Sequence, residues 1–313
     1  MTNTTTSPLA QGELARTLGQ ILIPMVTPFD ENGDVNLKYA AELTDTLIER
    51  RACDSLIVAG TTGEFHTLSN DERVQLFRTV KDAAADRVPL IAGTGSAATR
   101  DAVELSRTAE EIGYDVLMVV APYYAKPTQE GIYLYYEKVA ASVSVPVMLY
   151  NIPIFTGVNV DPPTVTRLSR IANILGIKDE AGINPTQMIE YANAAEGDFT
   201  VYNGDDIMIL CGMVQGAAGV VSGASHILSG PIREMMGAFV SGDLVRAHQI
   251  HRKLDPFLKS LAPGDRVNPI PGLRAAMEEA GMPVGPARPP LDEITDEERA
   301  ALRNGLRELG VVS

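Results

Sequence analysis

The chain has 313 residues, 45% of them hydrophobic, with 27 glycines, 20 prolines and a formal net charge of -14. That length can bury a large core, and the acidic balance excludes nucleic acid and anionic membrane surfaces as expected partners, since both need basic patches. It does not exclude a small anionic substrate, which answers to a local field.

The opening Met1-Thr2-Asn3-Thr4-Thr5-Thr6-Ser7-Pro8 lacks the positive charge and apolar core of a signal peptide. No apolar run is long enough to cross a bilayer, so a cytoplasmic location is expected. Residues 1–18 read as an N-terminal tail. From there, short apolar runs alternate with amphipathic stretches. Strands are predicted over 21–26, 56–58, 90–92, 117–120, 147–150, 174–177, 199–202 and 219–221, and helices between them over 37–50, 70–85, 100–112, 130–142, 162–171 and 185–195. Alternating strand and helix predicts parallel strands with right-handed crossovers, and eight such units close into a (β/α)8 TIM barrel, expected over 19–227. A doubly wound sheet is the alternative, but it would want a Gly-x-Gly turn after the first strand, where the chain reads Thr27-Pro28-Phe29-Asp30. Residues 228–313 are expected to be the last barrel helix and a helical extension of the same domain, with helices over 228–240, 244–261, 271–280 and 295–309. Thr295 and Glu298 have capping-box spacing, and the proline-rich 283–290 reads as a rigid connector.

In a barrel of this kind, functional groups sit at the C-terminal ends of strands and in the loops that follow. Lys178 closes the run Asn173-Ile174-Leu175-Gly176-Ile177, which reads as a buried strand. It is either neutralised for chemistry or ion-paired with a carboxylate, and Asp179 and Glu180 follow it directly. Thr61 and Thr62 follow the second strand in Ala59-Gly60-Thr61-Thr62-Gly63-Glu64, either a plain tight turn or a cradle of backbone N–H groups for a carboxylate. Tyr123 and Tyr124 follow the fourth strand as site or interface aromatics, and Tyr150 ends the fifth as a proton carrier or a capped core residue. A nucleophile, a phenol and a carboxylate cradle at one end of one barrel make a candidate active site.

Cys53 and Cys211 lie in apolar surroundings and read as buried thiols, neither a disulfide nor a zinc site. His248 and His251 read as surface residues of a helix. The run Asp30-Glu31-Asn32-Gly33-Asp34 lacks the distal bidentate glutamate of a calcium loop and reads as an Asn-Gly turn.

The segments Gly60-Thr61-Thr62-Gly63-Glu64, Tyr150-Asn151-Ile152-Pro153 and Gly176-Ile177-Lys178 resemble the signature blocks of the dihydrodipicolinate synthase / N-acetylneuraminate lyase family of class I aldolases. Pro122-Tyr123-Tyr124, Gln129-Glu130-Gly131 and Gly204-Asp205-Asp206 are similar and in the same order, so the likeness runs from about residue 19 to the C-terminus. The resemblance implies that Lys178 forms a Schiff base with pyruvate or another 2-oxo acid. It further implies that Tyr150 shuttles protons and that Thr61 links it to Tyr124 of a neighbouring subunit in a homotetramer. Thr62 with Gly63 would hold the 2-oxo acid carboxylate, and Val221, Phe155 and Asp205 complete the expected substrate-binding set; Asp205 reads equally as a helix N-cap. No metal and no organic cofactor is implied.

One departure bears on the acceptor and one on inhibition by lysine. Members that condense pyruvate with aspartate semialdehyde carry an arginine in Tyr-Asn-x-Pro-x-Arg, and Phe155 stands there, unable to make a bidentate contact with a carboxylate. Members inhibited by lysine carry an asparagine where this chain has Ala97, in Gly93-Thr94-Gly95-Ser96-Ala97. The expected function is therefore a Schiff-base aldolase or lyase whose acceptor is not fixed, such as a 2-keto-3-deoxy sugar acid, with Asp205, Asp206, Ser222 and Ser225 available to its hydroxyls. The alternatives are a true 4-hydroxy-tetrahydrodipicolinate synthase and a non-catalytic barrel that only binds.

Overall fold

A computed structural model describes residues 12–180, 182 and 184–313. Its strands are β1 (Ile21–Pro24), β2 (Ser55–Val58), β3 (Leu90–Gly93), β4 (Val116–Val120), β5 (Val147–Asn151), β6 (Ile174–Asp179), β7 (Thr200–Asn203) and β8 (Val220–Val221), which pair in chain order into one closed barrel. Every pairing from β3 to β8, and that of β8 with β1, is parallel. The strands are buried along almost their whole length, which is why their sequences run apolar without alternation.

Contacts gather the chain into two compact units. The first holds the described residues up to Leu22 together with Asp54–Ile57 and Val88–Val221. Within it, β5 and β6 are in register from Met148↔Gly176 to Asn151↔Asp179, and β6 and β7 from Gly176↔Thr200 to Asp179↔Asn203. The last part of the expected N-terminal tail is instead a helix, Glu13–Leu18, with Leu14 and Leu18 buried. Their spacing of four puts both on one helical face, and burying each contributes roughly 1.5–3 kcal/mol. Gly176 makes room for this helix, since a Cβ there would lie 2.8 Å from Leu14 Cδ2. Residues 1–11 of the expected tail lie outside the described residues.

The second unit comprises Ile23–Cys53, Val58–Arg87 and Ser222–Ser313. Helix Leu37–Glu49 packs on Asn70–Ala84, Ser225–Val240 on Leu244–Ser260, and Ile270–Glu279 on Asp296–Leu309. The box at Thr295 and Glu298 caps the last helix as its sequence predicts. Asp30 Oδ1 accepts from the N–H groups of Asn32 and Asp34, and Gly33 takes φ +80°, so the acidic run is a turn. Cys53 is buried, but Cys211 is exposed, contrary to expectation. It sits on the short helix Ile209–Val214, whose buried face is formed by Ile209, Gly212 and Met213 instead. Among the described residues, no helix is long and apolar enough to cross a membrane, and no group of three or more His, Cys, Asp or Glu could hold a metal ion.

Candidate active site

Lys178 is the penultimate residue of β6, directly opposite Tyr150 on β5 and Tyr202 on β7. Only 5% of its side chain is exposed, and its amine stands 3.9 Å from the centre of the Tyr150 ring. The amine also lies 2.8 Å from Glu180 Oε2, and the Tyr150 hydroxyl donates to that same oxygen at 2.8 Å. Of the two expectations for Lys178, the structure shows the carboxylate partner: it is a buried strand lysine beside Glu180, and that partner is shared with the phenol beside it. Glu180 follows Lys178 by two residues, the spacing that returns a side chain to the same face of a strand.

Asp179, between them, is used differently. Its Oδ1 accepts from Asn151 Nδ2 at 3.0 Å and from Gln187 Nε2 at 3.1 Å, while Asn151 Oδ1 accepts from the Val160 N–H. This buried network ties the ends of β5 and β6 together and fixes the register that sets Lys178 against Tyr150. Gly204 closes the site from β7. A Cβ on it would lie 2.6 Å from Lys178 Cε and 2.9 Å from Glu180 Cβ. Asp205 accepts from the Ile207 N–H and so caps the short helix Asp206–Met208. Burial, then the charge of Glu180, pushes the Asp205 carboxyl up to about 6.

In the second unit, the loop after β2 is bracketed by Ala59 and Glu64, both in left-handed backbone at φ +54°. Such a conformation costs a residue with a Cβ roughly 1–2 kcal/mol and persists only where surroundings impose it. The Thr27 hydroxyl donates to the Gly63 carbonyl at 2.6 Å, and a Cβ on Gly63 would come within 3.0 Å of the Met25 carbonyl. Glu64 is fully buried. Its Oε1 accepts from Arg274 at 2.8 Å and its Oε2 from the Arg288 N–H at 2.9 Å. Arg274 also donates to the carbonyls of Thr27, Val284 and Gly285, and both guanidinium groups lie over the Phe29 ring at 4.9 and 4.5 Å. Burial pushes the Glu64 carboxyl up against the opposing pull of Arg274. Thr61 and Thr62 are held half-buried inside this clamp. The sequence motif pointed to the loop, but Arg274 and Arg288 lie more than 200 positions along the chain and no local pattern links them to it.

Val221 ends β8 and is 2% exposed. Tyr124 is 93% exposed with φ +71°, and Phe155 and Ile154 are exposed on the short helix Pro153–Thr156. Ser222 and Ser225 are fully buried and bonded hydroxyl to hydroxyl at 2.7 Å. His226 donates from Nδ1 to the Gly223 carbonyl, and its Nε2 accepts from the Val26 N–H. Burial lowers it to about 4, so it stays neutral near pH 7.

Residues 17–309 match the profile of the Dihydrodipicolinate synthetase family. The 4-hydroxy-tetrahydrodipicolinate synthase 1 of Halalkalibacterium halodurans is 46% identical over 286 residues, 91% of this chain and 95% of that protein. The 4-hydroxy-tetrahydrodipicolinate synthase of Desulforudis audaxviator is 44% identical over 290 residues, 93% of this chain and 97% of that one. Among solved structures, dihydrodipicolinate synthase from Bacillus anthracis is similar with a TM-score of 0.87 at 41% identity, covering 93% of this chain and 98% of that one. The lysine-bound synthase from Cyanidioschyzon merolae gives 0.89 at 37%, covering 95% and 99%. These relatives carry the name of the alternative weighed from the sequence, the synthase, rather than that of a lyase with an open acceptor.

Proposed function

We propose that this chain, which belongs to the dihydrodipicolinate synthetase family, is a 4-hydroxy-tetrahydrodipicolinate synthase that condenses pyruvate with aspartate semialdehyde through a Schiff base on Lys178. As a member of that family it is an enzyme of the class I aldolase and lyase type. The observation that carries the assignment is the buried Lys178 amine set 3.9 Å from the Tyr150 ring across β5 and β6.

The Lys178 amine attacks the ketone carbon of pyruvate and water departs, leaving an iminium that acts as an electron sink. Loss of a methyl proton gives an enamine, whose carbon adds to the aldehyde. The amino group of the semialdehyde then displaces Nζ and releases a cyclic product. Tyr150 carries protons to and from the substrate oxygen. By family likeness, Thr62 and the Gly63 loop amides hold the pyruvate carboxylate, Thr61 relays from Tyr150 to Tyr124, and Tyr124 comes from a neighbouring subunit of a homotetramer. The high exposure and left-handed backbone of Tyr124 support that last role.

Two observations favour the synthase over a sugar-acid lyase. Relatives of 40–46% identity bear the synthase name, and the Ser222 and Ser225 hydroxyls are buried and bonded to each other instead of open to a polyol tail. Phe155 favours the second reading, a lyase with a less acidic acceptor, because it presents a ring at 39% exposure where a carboxylate-binding arginine is expected. The experiment has two stages. Borohydride with pyruvate should add one covalent adduct, located at Lys178 by mass spectrometry and missing in Lys178→Ala; an adduct that survives that substitution removes the Schiff-base assignment. Aspartate semialdehyde is then set against a panel of other aldehydes. Turnover on the order of 10 s⁻¹ with the semialdehyde supports the synthase, and a stronger response to an uncharged aldehyde replaces it with the lyase.

A further inference from the structure

We infer that Glu180 is a catalytic residue of this site: its Oε2 receives the protons that Lys178 must lose and hands them to Tyr150 for delivery to the substrate oxygen. This rests on the Schiff-base reading of Lys178 and deepens it.

An amine attacks a carbonyl with its lone pair, which an ammonium does not have. Glu180 Oε2 lies 2.8 Å from Nζ and 2.8 Å from the Tyr150 hydroxyl, so one oxygen touches both the nucleophile and the proton carrier. The neighbouring carboxylates are committed elsewhere: Asp179 to Asn151 and Gln187, Asp205 to the Ile207 N–H. Glu180 also differs from Lys178 in exposure, 28% against 5%, so the carboxylate can exchange protons with water while the amine cannot easily do so. Gly204 leaves the space that lets Lys178 Cε and Glu180 Cβ sit side by side.

The proton count closes. Lys178 passes one proton to Glu180, and its freed lone pair forms the N–C bond as the carbonyl π pair moves onto oxygen. That oxygen takes a proton from Tyr150, and Tyr150 takes one from Glu180. A second proton leaves Nζ by the same route, the oxygen departs as water, and the nitrogen lone pair closes the iminium. Two protons leave nitrogen, two arrive on oxygen, and Glu180 and Tyr150 end as they began. The charged and titratable groups shown against the carboxylate are Lys178 on β6, Tyr150 on β5 and Asp205 after β7.

The test uses the full chain and follows the rate of borohydride-trapped pyruvate adduct against pH. Glu180→Gln keeps the side chain's size and can still accept from Tyr150 but cannot carry a proton. The adduct rate should fall by ~10²-fold or more near pH 7 and recover towards the wild-type rate in alkaline solution, where hydroxide deprotonates Lys178. Glu180→Ala should be slow and accelerated by added formate, which a packing role would not allow. A Glu180→Gln rate equal to wild type at every pH, or a Glu180→Ala rate that formate leaves unchanged, overturns the inference. Wild type that forms no adduct removes the Schiff-base reading as well, whereas a normal wild-type adduct with a normal Glu180→Gln rate removes this inference alone.

Discussion

Tyr150 and Lys178 are register partners on adjacent parallel strands, and the lysine amine rests 3.9 Å from the centre of the tyrosine ring. The pair is built from two five- and six-residue strands, so its geometry is as rigid as the barrel itself. A cation over a phenol face is worth roughly 0.5–2 kcal/mol, and here the contact also sets the phenol beside the lysine nitrogen.

Tyr150→Phe keeps that ring and removes only the hydroxyl that donates to Glu180. Turnover at saturating substrate should fall by ~10²-fold or more, with the unfolding midpoint little changed. Full turnover in the phenylalanine variant would reduce Tyr150 to packing.

Gly204→Ala should damage the site through sterics alone, because the new methyl meets Lys178 Cε at 2.6 Å and Glu180 Cβ at 2.9 Å. Overpacking of this kind costs about 1–3 kcal/mol. Urea unfolding reads the stability loss and pyruvate trapping reads the displaced amine; an alanine variant with wild-type values in both would show that the strands spread to admit it.

Arg274→Met strips the buried Glu64 of its guanidinium partner. Breaking a buried pair from one side costs about 3–5 kcal/mol, and Glu64→Gln added to Arg274→Met should restore part of it. A loss under about 1 kcal/mol on the same scale would mean that water replaces the arginine.

Asp205 gives a pH signature. Its carboxyl rises from 3.8 to about 6 on folding, by burial first and then by the charge of Glu180. The folded protein therefore holds this proton more tightly than the unfolded chain, so the contribution to stability is full below pH 3.8 and is lost as pH rises through about 6. Asp205→Asn can keep the cap on Ile207 while removing the titration. It should be more stable than wild type above pH 6 and gain little near pH 4, measured as urea midpoints across that range. Parallel profiles for the two proteins would contradict this.

Lysine should leave the initial rate unchanged at millimolar concentration, because Ala97 is exposed and offers no side-chain donor. Inhibition that survives dialysis controls would show that another group binds it.

Much of the barrel was legible in the sequence because its signals are local. Runs such as Val116–Val120 are apolar on consecutive positions, and helices such as Leu37–Glu49 repeat every three to four residues. The helix Glu13–Leu18 is not legible in the sequence because six residues give fewer than two turns of pattern. Lys178 and Tyr150 are recognisable at strand ends, whereas the placing of Glu180 beside them needs the strand to be seen continuing through Asp179, which turns a Lys-x-Glu spacing into a shared face. In the sequence the acceptor rests on Phe155 alone, and one exposed side chain weighs less than relatives matched along almost the whole chain.

The clamp on the loop after β2 also bears on how the protein is made. Glu64 is synthesised early, yet Arg274 and Arg288, which hold it, follow 210 and 224 residues later. At a ribosomal pace of roughly 5–20 residues per second, the Thr61-Thr62 turn spends at least about ten seconds outside the tunnel without the groups that hold Ala59 and Glu64 in left-handed backbone. A nascent chain thus holds this loop in its final shape only once Arg274 and Arg288 have been made, and one cut short before Arg274 has a motif in its sequence that it cannot hold in space.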